Sequence, residues 1–343
     1  MDQKLVKSLV IGAAAGAVLT IFNRPKRFDL SGKSVVVTGG ARGLGLVMAR
    51  ELVDRGARIA ICSRHEDELA RAVADLRSMG GEVLAFRSDL TEKEHAEAFI
   101  DECRIRYGTV DVLINNAGVI QVGPLEEQTE KDFRDAMDIH FWAPYHTMQA
   151  VAPLMKRNGG GRIANIVSIG GKVAVPHLAP YCASKFALSG LSKAFANELA
   201  KDSIRITTVY PGLMRTGSHV NALFKGQNEK EFALFSLMDA TPATSIAAER
   251  AAAQIIEAIV LGKSELTISV QAKAIALLSE LAPELTATLM QTSASLLPGA
   301  GGIGERLATG LESQSDLLPD SITESIDAAA VRNNELKPGE TLS

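Results

Sequence analysis

The sequence predicts an α/β fold: a doubly wound parallel sheet with a hydrophobic N-terminal helix and a C-terminal extension. Three observations predict it. Short β-branched runs alternate with helix-length segments. A glycine cluster follows the first run and opens the first helical segment. The composition also holds material for a large core, since 46% of the 343 residues are hydrophobic and 22% are charged, which excludes bulk disorder. Parallel strands need crossover connections, so a repeated strand-helix-strand pattern means a doubly wound sheet. Such sheets take their ligands beyond the carboxyl ends of the strands.

The first run, Ser34 to Thr38 (SVVVT), reads as a strand buried on both faces. Further runs are Arg58 to Cys62, Val83 to Phe86, Val112 to Ile114, Arg162 to Val167, Ile204 to Val209 and Leu266 to Val270. Between them lie the helical segments Leu44 to Arg55, Glu66 to Met79, Glu92 to Tyr107, a stretch within Glu126 to Arg157, Tyr181 to Ala200, and Ile246 to Leu261. The chain divides into a hydrophobic anchor with a basic linker (1–29), a Rossmann-type domain (30–272), an apolar helical extension (273–302) and an acidic, mostly solvated tail (303–343).

Ser8 to Phe22 is fifteen residues without a charge, bordered by Lys4 and Lys7 and by Arg24, Lys26 and Arg27. As a helix it is about 22 Å long at ~1.5 Å per residue, short of a ~30 Å hydrocarbon core unless Leu5 and Val6 join it with Lys7 snorkelling. No small-x-small site follows, which argues against a cleaved signal peptide. A buried helix of the fold is the plain reading. We expect a membrane anchor, single-pass or only attached, in which Gly12-x-x-x-Gly16 permits close helix pairing. The heavier positive flank on its C-terminal side places the main domain in the cytoplasm.

In the extension, Ala274 to Met290 is apolar but broken by Glu280, Pro283 and Glu284; it reads as a helix lidding the domain or touching a membrane surface. Residues 303–343 carry eight acidic and three basic side chains, net −5, so with −4 overall the rest is near +1. Ser321 and Glu324, spaced as a capping box, predict one short helix there. No basic excess exists to neutralise a nucleic-acid backbone. Cys62, Cys103 and Cys182 are scattered and odd in number, which excludes a disulfide framework and suits a reducing compartment. His140, His146 and His177 lack metal-ligand spacing, and no metal is expected.

After the first strand comes Thr38-Gly39-Gly40-Ala41-Arg42-Gly43-Leu44-Gly45. Glycines let backbone amides approach a pyrophosphate, and the helix N-terminus adds partial positive charge. Position makes the cluster informative. Gly299-Ala300-Gly301-Gly302-Ile303-Gly304 fits G-x-G-x-x-G equally well, yet no strand precedes it, so it reads as a flexible linker. The second strand ends at Cys62-Ser63-Arg64, where an NAD site wants a carboxylate for the ribose hydroxyl. Arg64, with Arg42 in the loop, suits a 2′-phosphate instead. The expected cofactor is NADP(H). Glu66 and Asp67 fall too late to replace the missing acid.

Ser168 ends the fifth strand, and Tyr181-Cys182-Ala183-Ser184-Lys185 follows. On a helix, positions 181 and 185 share a face. A lysine there favours the phenolate and lowers the tyrosine pKa from about 10, which suits a general acid/base. The Ser168 hydroxyl can hold a substrate oxygen as its charge changes.

With these motifs the chain resembles the short-chain dehydrogenase/reductase family over roughly residues 32 to 272. The family's glycine motif matches Thr38, Gly39, Gly43 and Gly45, and its N-N-A-G motif matches Asn115, Asn116, Ala117 and Gly118. The resemblance implies an Asp beside the adenine at Asp89, in Ser88-Asp89-Leu90. It implies catalytic roles for Ser168, Tyr181 and Lys185, with Lys185 also holding the cofactor ribose. Pro211, Gly212 and Thr216 match P-G-x-x-x-T, whose threonine contacts the nicotinamide amide. It also implies a homo-oligomer through the fourth and fifth helices. One departure stands out: His140 occupies the position of an asparagine that carries a water-linked proton relay. Histidine can hold the water, titrate, or simply pack beside Trp142.

The loop from Leu213 to Ser245 holds Leu223, Phe224, Phe232, Leu234, Phe235, Leu237 and Met238. An apolar lid points to a lipophilic ketone, aldehyde or alcohol, although lids over such sites are commonly apolar whatever the substrate. The expected activity is NADPH-dependent interconversion of that carbonyl and its alcohol. The alternative is a membrane-attached NADPH-binding sensor or scaffold without turnover.

Overall fold

The first β-branched run becomes an interior strand of the sheet. In this computed structural model, which describes residues 27–314, 317–337 and 339–342, β1 (Ser34–Thr38) is buried along its whole length. The other strands are β2 (Arg58–Ser63), β3 (Val83–Arg87), β4 (Val112–Asn115), β5 (Gly161–Ile166), β6 (Ile204–Pro211) and β7 (Glu265–Ile268). All pair in parallel, in the order β7-β6-β5-β4-β1-β2-β3. The winding reverses between β1 and β4, which opens a crevice at their carboxyl ends.

Helices α1 (Gly43–Asp54), α2 (Glu66–Ser78), α3 (Lys93–Tyr107), α4 (Glu130–Met137), α5 (Ala143–Arg157), α6 (Ala179–Leu199), α7 (Asn228–Ala240) and α8 (Ala248–Leu261) follow in chain order. The two-residue period of the strands divides the core between them. Val35, Val37, Ile59, Ile61, Val112 and Ile114 pack on one face with α1, α2 and α8. Val36, Ala60, Leu113 and Ile163 pack on the other with α3, α5 and α6. Between α4 and α5, Asp138–Trp142 forms a single π-helical turn, a feature that clusters at functional sites.

The expected N-terminal hydrophobic helix, with the anchor at 8–22, lies outside the described residues. Among the described residues, no helix is long and apolar enough to cross a membrane. The extension forms α9 (Val270–Leu281) and α10 (Pro283–Ala294), parted at Pro283, with Leu277, Leu281, Leu285 and Leu289 exposed.

Two expectations about the C-terminal region are corrected. The glycine run at 299–304 is a pinned packing site, not a flexible linker. Gly301 N–H donates to Glu127 Oε1 (2.9 Å) and Ile303 N–H to Gly226 O (2.9 Å), and a side chain on Gly302 would run into the Gly226 carbonyl. The tail at 303–343 is not mostly solvated. Ala308–Thr309 joins Leu223–Phe224 in a small three-stranded sheet, and α11 (Asp320–Arg332) lies against α7. Its fully buried Ile326, Ala329 and Ala330 stand at i, i+3 and i+4, a narrow apolar stripe that outweighs the acidic composition.

Candidate active site

The glycine loop is braced from below. Thr38 Oγ1 accepts from the backbone amides of Asn116 (2.9 Å) and Ala117 (3.0 Å). Asn116 Nδ2 donates to the carbonyls of Thr38 (3.1 Å) and Gly39 (3.2 Å). A side chain at Gly45 would strike the Gly39 carbonyl, so the loop closes tightly only because that position is bare. Leu44 is buried in the core beneath the loop. The β1 and β4 ends therefore form one rigid rim.

Ser168, Tyr181, Lys185 and His140 come together beside that rim. Ser168 stands just past β5, its Oγ accepting from Gly170 N–H (3.0 Å). Tyr181 and Lys185 lie on one face of α6, with Lys185 Nζ 5.5 Å from the Tyr181 ring centre. Lys185 is buried and donates to Ile166 O (3.0 Å). Burial pushes Tyr181 up to about 12, against a hydrogen bond to Ser168 that pulls it down. The same burial pulls Lys185 down to about 7. The expected lowering of the Tyr181 pKa is thus reversed here: desolvation of the phenolate outweighs the help that Ser168 gives.

His140 sits in the π turn with its ring edge-on to Tyr181, 5.3 Å between centres. Its Nε2 accepts from Val119 N–H (3.2 Å), so Nδ1 carries the proton and faces Ser184 Oγ (2.8 Å). Ser184 Oγ donates to Tyr181 O (2.8 Å). Burial, then the charge of Lys185, holds His140 well below the usual histidine range. It is a neutral ring engaged at both nitrogens. A side chain on Gly118 would meet His140 Nε2 at 2.8 Å, so that glycine is needed for the close approach.

The other expected cofactor residues line the strand ends. Asp89 caps its own turn, accepting from Thr91 N–H (3.1 Å) and Oγ1 (2.8 Å), while Leu90 is buried in the core. Pro211 ends β6, and Gly212 packs against Ser269 and Ala272. Thr216 is buried with its Oγ1 donating to Ser218 Oγ (2.9 Å). Arg64 is exposed.

Three residues that sequence reasoning missed gather at Arg42. Glu68 reaches back from α2 to accept from Ser63 Oγ (2.9 Å), and its other oxygen lies 3.7 Å from Arg42 Nη1. Its signal was an acid in the first turn of the helix after β2, one residue beyond Asp67. Glu335 Oε2 lies 3.6 Å from Arg42 Nε, and Asn334 Nδ2 donates to Ala41 O (2.8 Å) and Glu68 O (3.0 Å). Burial pushes the Glu335 carboxyl up, opposed by Arg42 and by Asn221. No local pattern marks these last two residues. The Glu335 carboxyl stands against Gly43 and Arg42.

A buried polar chain holds α6 to the sheet. Thr147 Oγ1 donates to Asn115 Oδ1 (2.7 Å), Asn115 Nδ2 to Asn165 Oδ1 (2.9 Å), and Asn165 Nδ2 to Ser192 Oγ (2.9 Å), which pairs with Thr208 Oγ1 (2.7 Å). Such a satisfied network fixes geometry. In the lid, Phe224, Phe232 and Phe235 turn inward to make a small core with Val122 and Ala222, leaving Leu234, Leu237 and Met238 exposed.

The sequence profile of the short chain dehydrogenase family matches residues 33–225. The chain is 31% identical over 256 residues to the putative oxidoreductase SadH of Mycobacterium tuberculosis, covering 74% of this chain and 92% of that one. It is 32% identical to a 3alpha-hydroxysteroid dehydrogenase of Mediterraneibacter gnavus, over 54% of this chain and 76% of that one. Among solved structures, L-sorbose reductase of Gluconobacter frateurii, complexed with NADPH and L-sorbose, superposes with a TM-score of 0.64 at 25% identity. That match covers 71% of this chain and 97% of that one.

Proposed function

The chain belongs to the short chain dehydrogenase family, and from that premise we propose that it is an NADP(H)-dependent oxidoreductase that interconverts a lipophilic ketone or aldehyde and its alcohol. The observation that carries this reading is the grouping of Ser168, Tyr181 and Lys185 at the end of β5, with Lys185 fixed on Ile166 O at 3.0 Å. The loop at Gly39–Gly45 and the N-terminus of α1 would hold the cofactor's pyrophosphate, with Asn116, Ala117 and Gly118 beneath and Asp89, Leu90 and Thr216 flanking. Arg42, Ser63 and Arg64 would take the adenosine end and favour NADP(H); in the chain alone Arg42 faces Glu68 and Glu335.

A bound nicotinamide would supply the hydride. Tyr181 gives its O–H proton to the carbonyl oxygen as the carbon is reduced, and Ser168 donates a hydrogen bond to that oxygen while its charge develops. A protonated Lys185 stabilises the phenolate left behind. In the reverse direction the phenolate takes the alcohol proton. The exposed lid residues Leu234, Leu237 and Met238 favour a lipophilic substrate. A membrane anchor at 8–22 and a cytoplasmic domain fit a substrate dissolved in lipid. Trp142 and Phe186, exposed on the π turn and α6, fit a homo-oligomer.

The test is NADPH oxidation by the purified full chain, in detergent, against a panel of lipophilic ketones and aldehydes, with NADH alongside. Turnover with NADPH is expected, and Tyr181→Phe should lower kcat by about 100- to 10,000-fold; unchanged turnover removes the assigned mechanism. Arg64→Ala should weaken NADPH more than NADH. The sensor reading draws on one observation: both His140 nitrogens are engaged. It predicts NADPH binding without turnover, and turnover restored in His140→Asn.

A further inference from the structure

The chain's own C-terminal segment sits on the anion seat of the glycine loop. Gly43 N–H, the first amide of α1, donates to Asn333 O (2.9 Å). Glu335 is 5% exposed, and its carboxyl group alone stands where a side chain on Gly43 would go. Asn221, in the lid, donates through Nδ2 to Glu335 Oε2 (2.8 Å) and to Glu335 O (2.7 Å). Asn334 is gripped by Ala41 O, by Glu68 O and by Arg71, whose guanidinium also reaches Leu336 O (3.2 Å). Asn333 Nδ2 donates to Thr216 O (3.0 Å), and Arg50 donates to Asn333 Oδ1 (3.0 Å).

These contacts use the groups that a dinucleotide's phosphates need. A helix N-terminus and an arginine attract one acidic ligand; here the first helix amide is taken by Asn333 O, and Arg42 faces Glu335. The seating is also specific. The segment reaches the phosphate loop, α1, α2 and the lid through side chains that are otherwise far apart in sequence.

We propose that residues 333–336 are a built-in competitor for the phosphates of the nicotinamide dinucleotide, so that tail and cofactor exclude one another at Gly43 and Arg42. This rests on the reading of the cleft as a dinucleotide site. Apparent cofactor affinity is then reduced by the fraction of molecules whose seat is free; a tail seated in about nine molecules of ten costs about tenfold. Anything that draws the tail away would switch the cleft on.

The experiment titrates NADPH and NADH into the full chain and into Glu335→Ala and Asn334→Ala, and follows hydrogen exchange at residues 333–337. Both variants are expected to bind dinucleotide about tenfold more tightly, and bound dinucleotide is expected to speed exchange in the native tail. Weaker binding in the variants, or slower tail exchange on binding, overturns the proposal, because the tail would then close over the cofactor as a clamp. Equal affinities with unchanged exchange overturn it as well and leave the dinucleotide reading standing. If no folded chain, native or variant, binds either dinucleotide, that reading falls and the competitor with it.

Discussion

Tyr181 and Lys185 are shifted in opposite directions by the same burial, to about 12 and about 7, and this sets the pH behaviour of each direction of reaction. Reduction needs Tyr181 with its proton, a condition met at all pH values below about 12. It also needs charge on Lys185 to steady the phenolate, and that charge is present below about 7 and lost above it. We therefore expect kcat/KM for carbonyl reduction to fall as pH rises through about 7, and kcat/KM for alcohol oxidation, which starts from the phenolate, to rise toward alkaline pH. Lys185→Met should abolish the limb near neutrality. Burial, then the charge of Lys185, holds His140 well below the usual histidine range, so His140→Asn should leave that limb where it is. A reduction profile flat through neutrality would show that Lys185 keeps its charge. The residue pair itself was legible, because the i, i+4 spacing puts both side chains on one face. The sign of the tyrosine shift was not, because spacing reports proximity and says nothing of desolvation.

Single side chains hold the elements of the site in register, and Thr38 is the clearest case. Its Oγ1 satisfies the amides of Asn116 and Ala117 at 2.9 and 3.0 Å, which joins the end of β1 to the loop after β4. Thr38→Val keeps the shape and orphans both donors at a site only 2% exposed. Each orphan costs roughly 1–3 kcal/mol, so a lower denaturation midpoint is expected together with a raised KM for the cofactor. A fall in stability with unchanged KM would mean that the loop keeps its shape without the brace. The strands and most helices could be read from the sequence, because β-branched runs and helical periodicity are local. The polar chain from Thr147 through Asn115, Asn165 and Ser192 to Thr208 could not, since its members meet only once β4, β5, β6, α5 and α6 are assembled. The lid phenylalanines show the converse. Read along the chain they pointed to substrate, but folded they turn inward against Val122 and Ala222.

Across the whole molecule the tail couples regions that the sequence keeps apart. Asn334 bonds to Ala41 across 293 positions, and no motif search over an acidic, net −5 stretch points to such a contact. The tail helix α11 lies against the lid helix α7, and its Ile326, Ala329 and Ala330 are fully buried. Just beyond it, Asn333 and Glu335 meet Gly43 and Thr216. Lid, tail and phosphate loop therefore form one connected body, and a cut far from the cleft should be felt within it. Ile326→Ala removes a buried side chain at a cost of about 2–5 kcal/mol, most of it from the docking of α11. If the tail only supports the fold, stability and dinucleotide affinity should fall together. If it competes for the seat, stability should fall while dinucleotide affinity rises, because a loosened tail leaves Gly43 and Arg42 free more of the time. Denaturant midpoints and dinucleotide titrations on the same Ile326→Ala preparation separate the two. A competing tail requires the two measurements to move in opposite directions, which loss of packing alone does not produce.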